Sequence, residues 1–195
     1  EAKNILRTPV LSTLLADPDV RLVLFTKSEE RVKFYQKDFP STMLGTGNDP
    51  RILYEVVQRQ PSRGLDKFFS RLKFFLLRTK TTSLKREMAG GSWLGEFVNW
   101  LLARPFVRKI ARFLDYHLVC TNIYGQYFEK YNPDVVFLPH LFDEPEVHLL
   151  REAKRRGVKS IGFVNSWDKA TARSIWRLLP DKAVVFNEIV KKEIV

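Results

Sequence analysis

The sequence predicts an α/β protein, a Rossmann-like, doubly wound parallel sheet with a long helical insertion, and three observations carry that expectation. Short apolar runs rich in β-branched and aromatic residues recur at 20–25, 135–138, 158–164 and 183–186. Each stops at polar groups, as a buried parallel strand does where it ends in a loop. Stretches with helical spacing of apolar residues alternate with these runs, and strand–helix alternation is the signature of a parallel sheet with crossover helices.

Taken in order, the first helix is expected from Thr8 as N-cap and Pro9 at the first helical position, with Val10, Leu11, Leu14 and Leu15 on one face. An α/β fold normally opens on a strand, so a first strand is expected upstream of this helix. Asp17-Pro18-Asp19 turns the chain into the strand 20–25, which ends at Thr26. Ser28 caps the next helix, whose first turn carries Glu29 and Glu30 near the positive end of its dipole. Residues 42–44 read as a short strand. From about 48 to 131 the pattern is helical. Ile52, Val56 and Val57 fit one short helix. Leu65, Phe68, Phe69, Leu72, Phe75 and Leu76 keep helical spacing over the next. Gly90-Gly91 breaks the run, Ser92 caps a helix from Trp93 to Leu102, and Pro105 opens another through Leu114. No Pro/Gly/Ser-rich linker flanks this stretch, so residues 1–195 read as one domain with a helical insertion at about 48–131.

The alternation resumes with a strand at 135–138, ending at His140. Glu144-Pro145-Glu146 starts a helix whose basic end, Lys154-Arg155-Arg156, suits the negative end of its dipole, with Gly157 as the residue that leaves the helix. The strand 158–164 follows, ending at Asn165, Ser166 and Asp168. Ser166 or Asp168 can equally cap a helix starting near Lys169. A last strand at 183–186 ends at Asn187 and Glu188, before a further helix.

The composition narrows the function classes. At 45% hydrophobic and 13% aromatic residues the chain is that of a globular protein. Cys120 is the only cysteine, which rules out an internal disulfide and fits a reducing compartment. The apolar run Leu72–Leu77 contains Lys73 and is bracketed by Arg71 and Arg78, so a membrane-spanning helix is not expected. The net charge is +11, and residues 63–112 carry twelve basic against three acidic residues, or +9 of it. Such a block implies an anionic partner: a phospholipid surface, a phosphorylated substrate or nucleic acid. The alternative is a solvated helical face. The apolar stripes between these charges are expected to pack on the sheet, and the other reading makes them a membrane-docking face.

In an open α/β sheet, ligands bind outside the carboxyl ends of the strands. Thr26, His140, the group Asn165/Ser166/Asp168, and Asn187 with Glu188 are all placed at such ends. A histidine and a carboxylate there can serve as general base and orienter. His117, His140 and His148 lack metal-ligand spacing and Cys120 has no CxxC partner, so no metal is expected.

The runs 160–171 (SIGFVNSWDKAT) and 180–188 (PDKAVVFNE), followed by Lys191-Lys192-Glu193, resemble the end of the N-terminal half of GT-B-type glycosyltransferases. They are similar in particular to bacterial surface-polysaccharide and teichoic-acid-polymerase-like proteins, with Lys169 where that pattern has Asn and Phe186 where it often has Trp. Asn4-Ile5-Leu6-Arg7-Thr8 resembles the first loop and helix of such proteins. The resemblance implies one half of a GT-B fold that binds the acceptor, with a donor-binding domain beyond residue 195. A nucleotide-sugar would be the donor substrate, with no resident cofactor, and a glycan or lipid-linked molecule the acceptor. It implies His140 or Asp168 as catalytic base, with Asn165, Ser166, Trp167 and Thr171 binding the acceptor or shaping its loop. Asn4 and Arg7 would meet donor phosphate, and residues 1–195 alone would lack turnover. The implied location is cytoplasmic, peripheral at the inner membrane face. A noncatalytic polyanion-binding module and a sugar-nucleotide epimerase on the same frame are the competing classes; nucleic acid is disfavoured, because the aromatics keep step with the aliphatics.

Overall fold

Both groups of strands pair in parallel. A computed structural model of the chain describes residues 8–38, 49–58, 60–164, 166 and 172–194. The chain divides into two units, Glu1–Gln60 and Pro61–Val195, and each holds its own sheet.

In the first unit, helix α1 (Pro9–Leu15) starts at Thr8 with proline in its first turn, and strand β1 (Leu22–Thr26) follows. Helix α2 (Glu29–Asp38) packs against β1 and against strand β2 (Ile52–Val56). The two strands run parallel, in register Leu22↔Ile52 to Thr26↔Val56. This corrects the short helix expected from Ile52, Val56 and Val57. Their spacing fits a helix, but the whole segment 52–56 is spent on ladder pairing with β1. Its entry is fixed by Arg51, whose guanidinium pairs with Asp49 at 2.8 Å and donates to Leu15 O and Asp17 O at 3.0 and 3.2 Å. The strand expected at 42–44 lies outside the described residues.

The second unit opens on five helices: α3 (Gly64–Phe75), α4 (Lys80–Met88), α5 (Trp93–Leu102), α6 (Pro105–Leu118) and α7 (Gly125–Tyr131). The helical stretch therefore begins at Gly64 and not near residue 48. Ser92 caps α5 by accepting from the Gly95 N–H, and Thr79 forms a reciprocal capping box with Thr82 at α4. Strand β3 (Val135–Leu138), helix α8 (Glu144–Arg155), strands β4 (Lys159–Phe163) and β5 (Lys182–Val184) and helix α9 (Glu188–Ile194) complete the unit. Gly157, at φ +71°, lets the chain leave α8, a conformation that costs a residue with a Cβ.

The sheet order is β3-β4-β5, all parallel. Helix α8 packs on β3 and β4. Val136 and Leu138, with their register partners Ser160 and Gly162, form the buried face. Buried Ser160 is satisfied by Asp181, which accepts from its N–H at 2.8 Å and its hydroxyl at 2.6 Å and so draws the start of β5 alongside β4. The opposite face carries a row of rings, Phe137 on Phe163 at 6.5 Å and Phe163 on Phe186 at 5.8 Å, with Val135 and Phe137 about half exposed.

Gly162 is fixed by contact: a Cβ there would collide with Leu141 Cδ1 and stand 2.8 Å from Cδ2. Gly162→Ala is expected to destabilise the protein by about 1–3 kcal/mol through overpacking. Adding Leu141→Ala should recover part of that loss in urea unfolding. A neutral Gly162→Ala would show that the loop does not sit on the sheet as described.

Candidate functional site

The carboxyl ends of β3, β4 and β5 lie side by side, because the strands are parallel and in register. Past β3 the chain turns sharply. Leu141 sits at φ +57°, an uncommon backbone conformation for a leucine, and its buried side chain rests on Gly162. His140 O accepts from the Phe142 N–H at 2.8 Å. Glu146, in the first turn of α8, accepts from the N–H groups of both His140 and Leu141 at 2.8 Å. The loop is thus clamped by a carboxylate, and His140 is held buried with Nε2 4.0 Å from Asp143 Oδ2. Strained, over-determined turns of this kind cluster at functional sites.

After β4, Val164 is buried and donates to Val184 O, and Ser166 is half-buried. After β5, Asn187 Oδ1 accepts from the Val190 N–H at 2.9 Å and so caps α9, while Glu188 is exposed and pairs with Lys191 at 3.2 Å. His140, Ser166, Asn187 and Glu188 therefore follow neighbouring strand ends. Thr26 belongs to the first unit, where its buried hydroxyl lies 3.4 Å from Glu55 O and 3.5 Å from Ser28 O. Asn4, Arg7, Asn165, Trp167, Asp168 and Thr171 lie outside the described residues.

A second constellation escaped the sequence reading: a buried ion network centred on Arg177. Its Nε and Nη2 donate to the two oxygens of Asp115 at 2.8 Å, a bidentate pair. Its Nη1 donates to Asp66 Oδ1 at 2.8 Å and to Glu144 Oε2. Arg151 donates to Asp115 Oδ1 at 2.6 Å, and Lys73 pairs with Glu144 at 2.7 Å while donating to Phe142 O at 2.9 Å. Three carboxylates thus meet three cations, all buried or nearly so. His148 completes the set. A guanidinium can only donate, so Arg151 Nη1 at 3.1 Å makes His148 Nδ1 an acceptor, which places the ring proton on Nε2, facing Asp66 Oδ2 at 3.4 Å.

Burial opposes ionisation of Asp66 and Glu144, but their partners prevail. Hydrogen bonds from His148, Ser62 and Arg177 hold the Asp66 carboxyl well below the usual carboxylate range. The charges of Lys73 and Arg177 do the same for Glu144. Burial likewise opposes the charge on Arg177, and Asp115, Glu144 and Asp66 raise its pKa above the ordinary value.

Asp66, Glu144 and His148 bring ligand atoms within 4.8 Å of one another, close enough to invite a metal reading. The donor set does not fit one. Arg177 Nη1 already bridges the two carboxylates and Lys73 holds the other Glu144 oxygen, so a dication between them would face two fixed positive charges. Comparison with models of protein families, with curated proteins and with solved structures finds no match.

Arg177→Met leaves Asp115 buried without its bidentate partner and is expected to cost about 3–5 kcal/mol in urea unfolding. Combining it with Asp115→Leu should restore part of the loss. The pH dependence follows from the depressed carboxyls. Their contribution is present above the ordinary carboxylate pKa of about 4 and is lost as pH falls through their lower folded-state values. The unfolding midpoint should therefore drop steeply on acidification below about pH 4, and less steeply in Arg177→Met. A midpoint flat across that range would mean the network carries no net stability.

Proposed function

We propose that the chain is the acceptor-binding half of a GT-B-type sugar-transferring enzyme of the bacterial surface-polysaccharide kind. A nucleotide-sugar is the donor substrate and a glycan or lipid-linked molecule the acceptor. One observation carries this reading: three parallel strands of the second unit end side by side, and the loops that follow them hold His140, Ser166 and Asn187 with Glu188. That edge is where open α/β sheets bind ligands. The clamped turn around His140 supports it, since a base must be held in a fixed geometry to be effective. The motif residues Asn165, Trp167, Asp168 and Thr171 follow β4 in sequence. On this reading His140 or Asp168 takes the acceptor proton. On this reading the two parallel sheets belong to one half of a two-domain enzyme, which works at the inner face of the membrane.

The test uses the gene product in its natural reading frame, with labelled nucleotide-sugars and lipid extracts as acceptors. Removing a general base typically costs about 10²- to 10⁴-fold in rate, so either His140→Ala or Asp168→Asn should show a loss of that size while the protein stays folded by circular dichroism. Residues 1–195 alone should show no turnover. Near-normal transfer by both variants would remove the base assignment, and transfer by residues 1–195 alone would contradict the two-domain reading. An altered sugar released without transfer would identify an epimerase instead.

A further inference from the structure

The helices α3, α5 and α6 bury polar side chains beside apolar ones such as Phe69, Leu72 and Val107, and leave many of their largest apolar side chains exposed. In α3 the buried positions include Asp66 and Lys73, whereas Leu65, Phe68 and Phe75 on the other side are exposed, Phe68 at 55%. In α5 the one fully buried side chain is Asn99, and Trp93, Leu94 and Phe97 are exposed, Trp93 at 77%. In α6 the buried residues are Ala111 and Asp115, and Phe106, Ile110 and Phe113 are exposed. The buried polar groups are all engaged. Asp66, Lys73 and Asp115 belong to the ion network, and Asn99 donates to Phe75 O and Leu77 O at 2.6 and 3.1 Å. The polarity of these helices therefore cannot be reversed by rotating them; the exposed apolar side chains are committed outward.

Exposed apolar surface on this scale marks an interaction site, and the charges around it select the partner. Lys67, Arg71, Arg78, Arg104 and Lys109 are exposed among these residues. Of the segment's three acidic residues, Asp66 is consumed by Arg177 and Glu96 pairs with Arg86 at 3.0 Å. Arg104 lies over the Trp100 ring at 4.4 Å, cation and aromatic side by side as at a headgroup boundary. A groove lined by Lys67, Phe68, Arg71, Leu72 and Phe75 has the same mixture. A second copy of the chain would set like charge against like. Nucleic acid offers stacking partners to rings but no apolar volume for Leu65, Leu94 or Ile110. An anionic lipid surface supplies both phosphates for the cations and an apolar layer for the rings. No helix among the described residues is long and apolar enough to cross a membrane, so the helices must lie in the interface.

We propose that the outward faces of α3, α5 and α6 dock the protein on an anionic phospholipid bilayer. Their aromatic and aliphatic side chains enter the headgroup boundary and the surrounding Lys and Arg meet lipid phosphate. This stands apart from the sugar-transfer reading, because vesicle binding is measured without turnover. The experiment is cosedimentation with vesicles of phosphatidylcholine alone or with about 30% phosphatidylglycerol, from about 0.05 to about 0.5 M salt. Tryptophan emission is recorded in parallel. Binding should require the anionic lipid, weaken with salt, and bring a blue shift that Trp93→Phe/Trp100→Phe removes. Lys67→Glu/Arg71→Glu should weaken it at least about tenfold. Phe68→Ser/Trp93→Ser, which keeps every charge, should weaken it too. Three results would overturn the proposal: no pelleting with anionic vesicles at low salt, equal affinity for a single-stranded RNA homopolymer with no emission shift, or a lipid-free dimer that Phe68→Ser/Trp93→Ser dissociates.

Discussion

One guanidinium sets the arrangement of the second unit. Arg177 lies between β4 and β5 in sequence, outside any helix or strand, yet its donors reach carboxylates on α3, α6 and α8. The segment around it is buried as well. Ile175 joins Leu76, Leu77 and Ala111 in a small apolar cluster, Trp176 O accepts from Arg112 at 3.0 Å, and the Trp176 ring meets Phe142 at 6.1 Å. A connection between strands thereby becomes the piece that holds the helices to the α8 side of the sheet. A buried ion network is not in itself a source of large stability, since desolvation offsets much of the attraction. What it does supply is specificity, because each charge must find its partner and only one rotation of α3 and α6 satisfies all of them.

That constraint explains a distribution of side chains that hydrophobic burial alone would reverse. An ordinary surface helix turns its apolar stripe to the core. Here the stripe is displaced, because Asp66, Lys73 and Asp115 must face inward to reach Arg177 and Glu144, and Asn99 and Arg108 must face inward to satisfy the last carbonyls of α3. The cations of the segment that stay exposed, Lys67, Arg71, Arg78, Arg104 and Lys109, then share these helices and their flanks with the exposed aromatics. The strand-end loops show the same economy: Glu146 clamps the backbone beside His140 from the first turn of the helix that covers the sheet.

Much of the frame was legible in the residues. The strands at 22–26, 135–138, 159–163 and 182–184, the caps at Thr8, Ser92 and Gly157, and the parallel pairing all follow from period, turn chemistry and alternation. Ile52–Val56 was misread because apolar residues at i, i+4 and i+5 fit a helix as well as a strand, and only the pairing with β1 decides. The orientation of the helices is legible only in part: Leu72, Leu76, Leu102 and Val107 pack inward as the stripes suggest, whereas Phe68, Trp93 and Phe106 do not. Periodicity locates an apolar face but does not say which way it points, and the charges that decide it are dispersed over residues 66, 73, 115, 144, 151 and 177 with no local spacing to betray them. Lys73, one of the basic residues counted in the +9 segment, is buried against Glu144. The strand-end residues were found because polar groups after an apolar run are a local signal, whereas a network joining residues more than a hundred positions apart is not.

The claim on which the rest depends is that α3 turns Asp66, Phe69 and Lys73 inward and Phe68 and Phe75 outward. Nitroxide labels placed one at a time on cysteines at 68 and 69, in a Cys120→Ser background, measure it directly in lipid-free buffer. The label at 68 should be mobile and readily relaxed by a water-soluble paramagnetic agent, and the label at 69, adjacent in sequence but buried, should be immobile and protected. The opposite pattern, with 68 protected and 69 accessible, would mean that the helix packs its apolar stripe inward and that the network around Arg177 does not form.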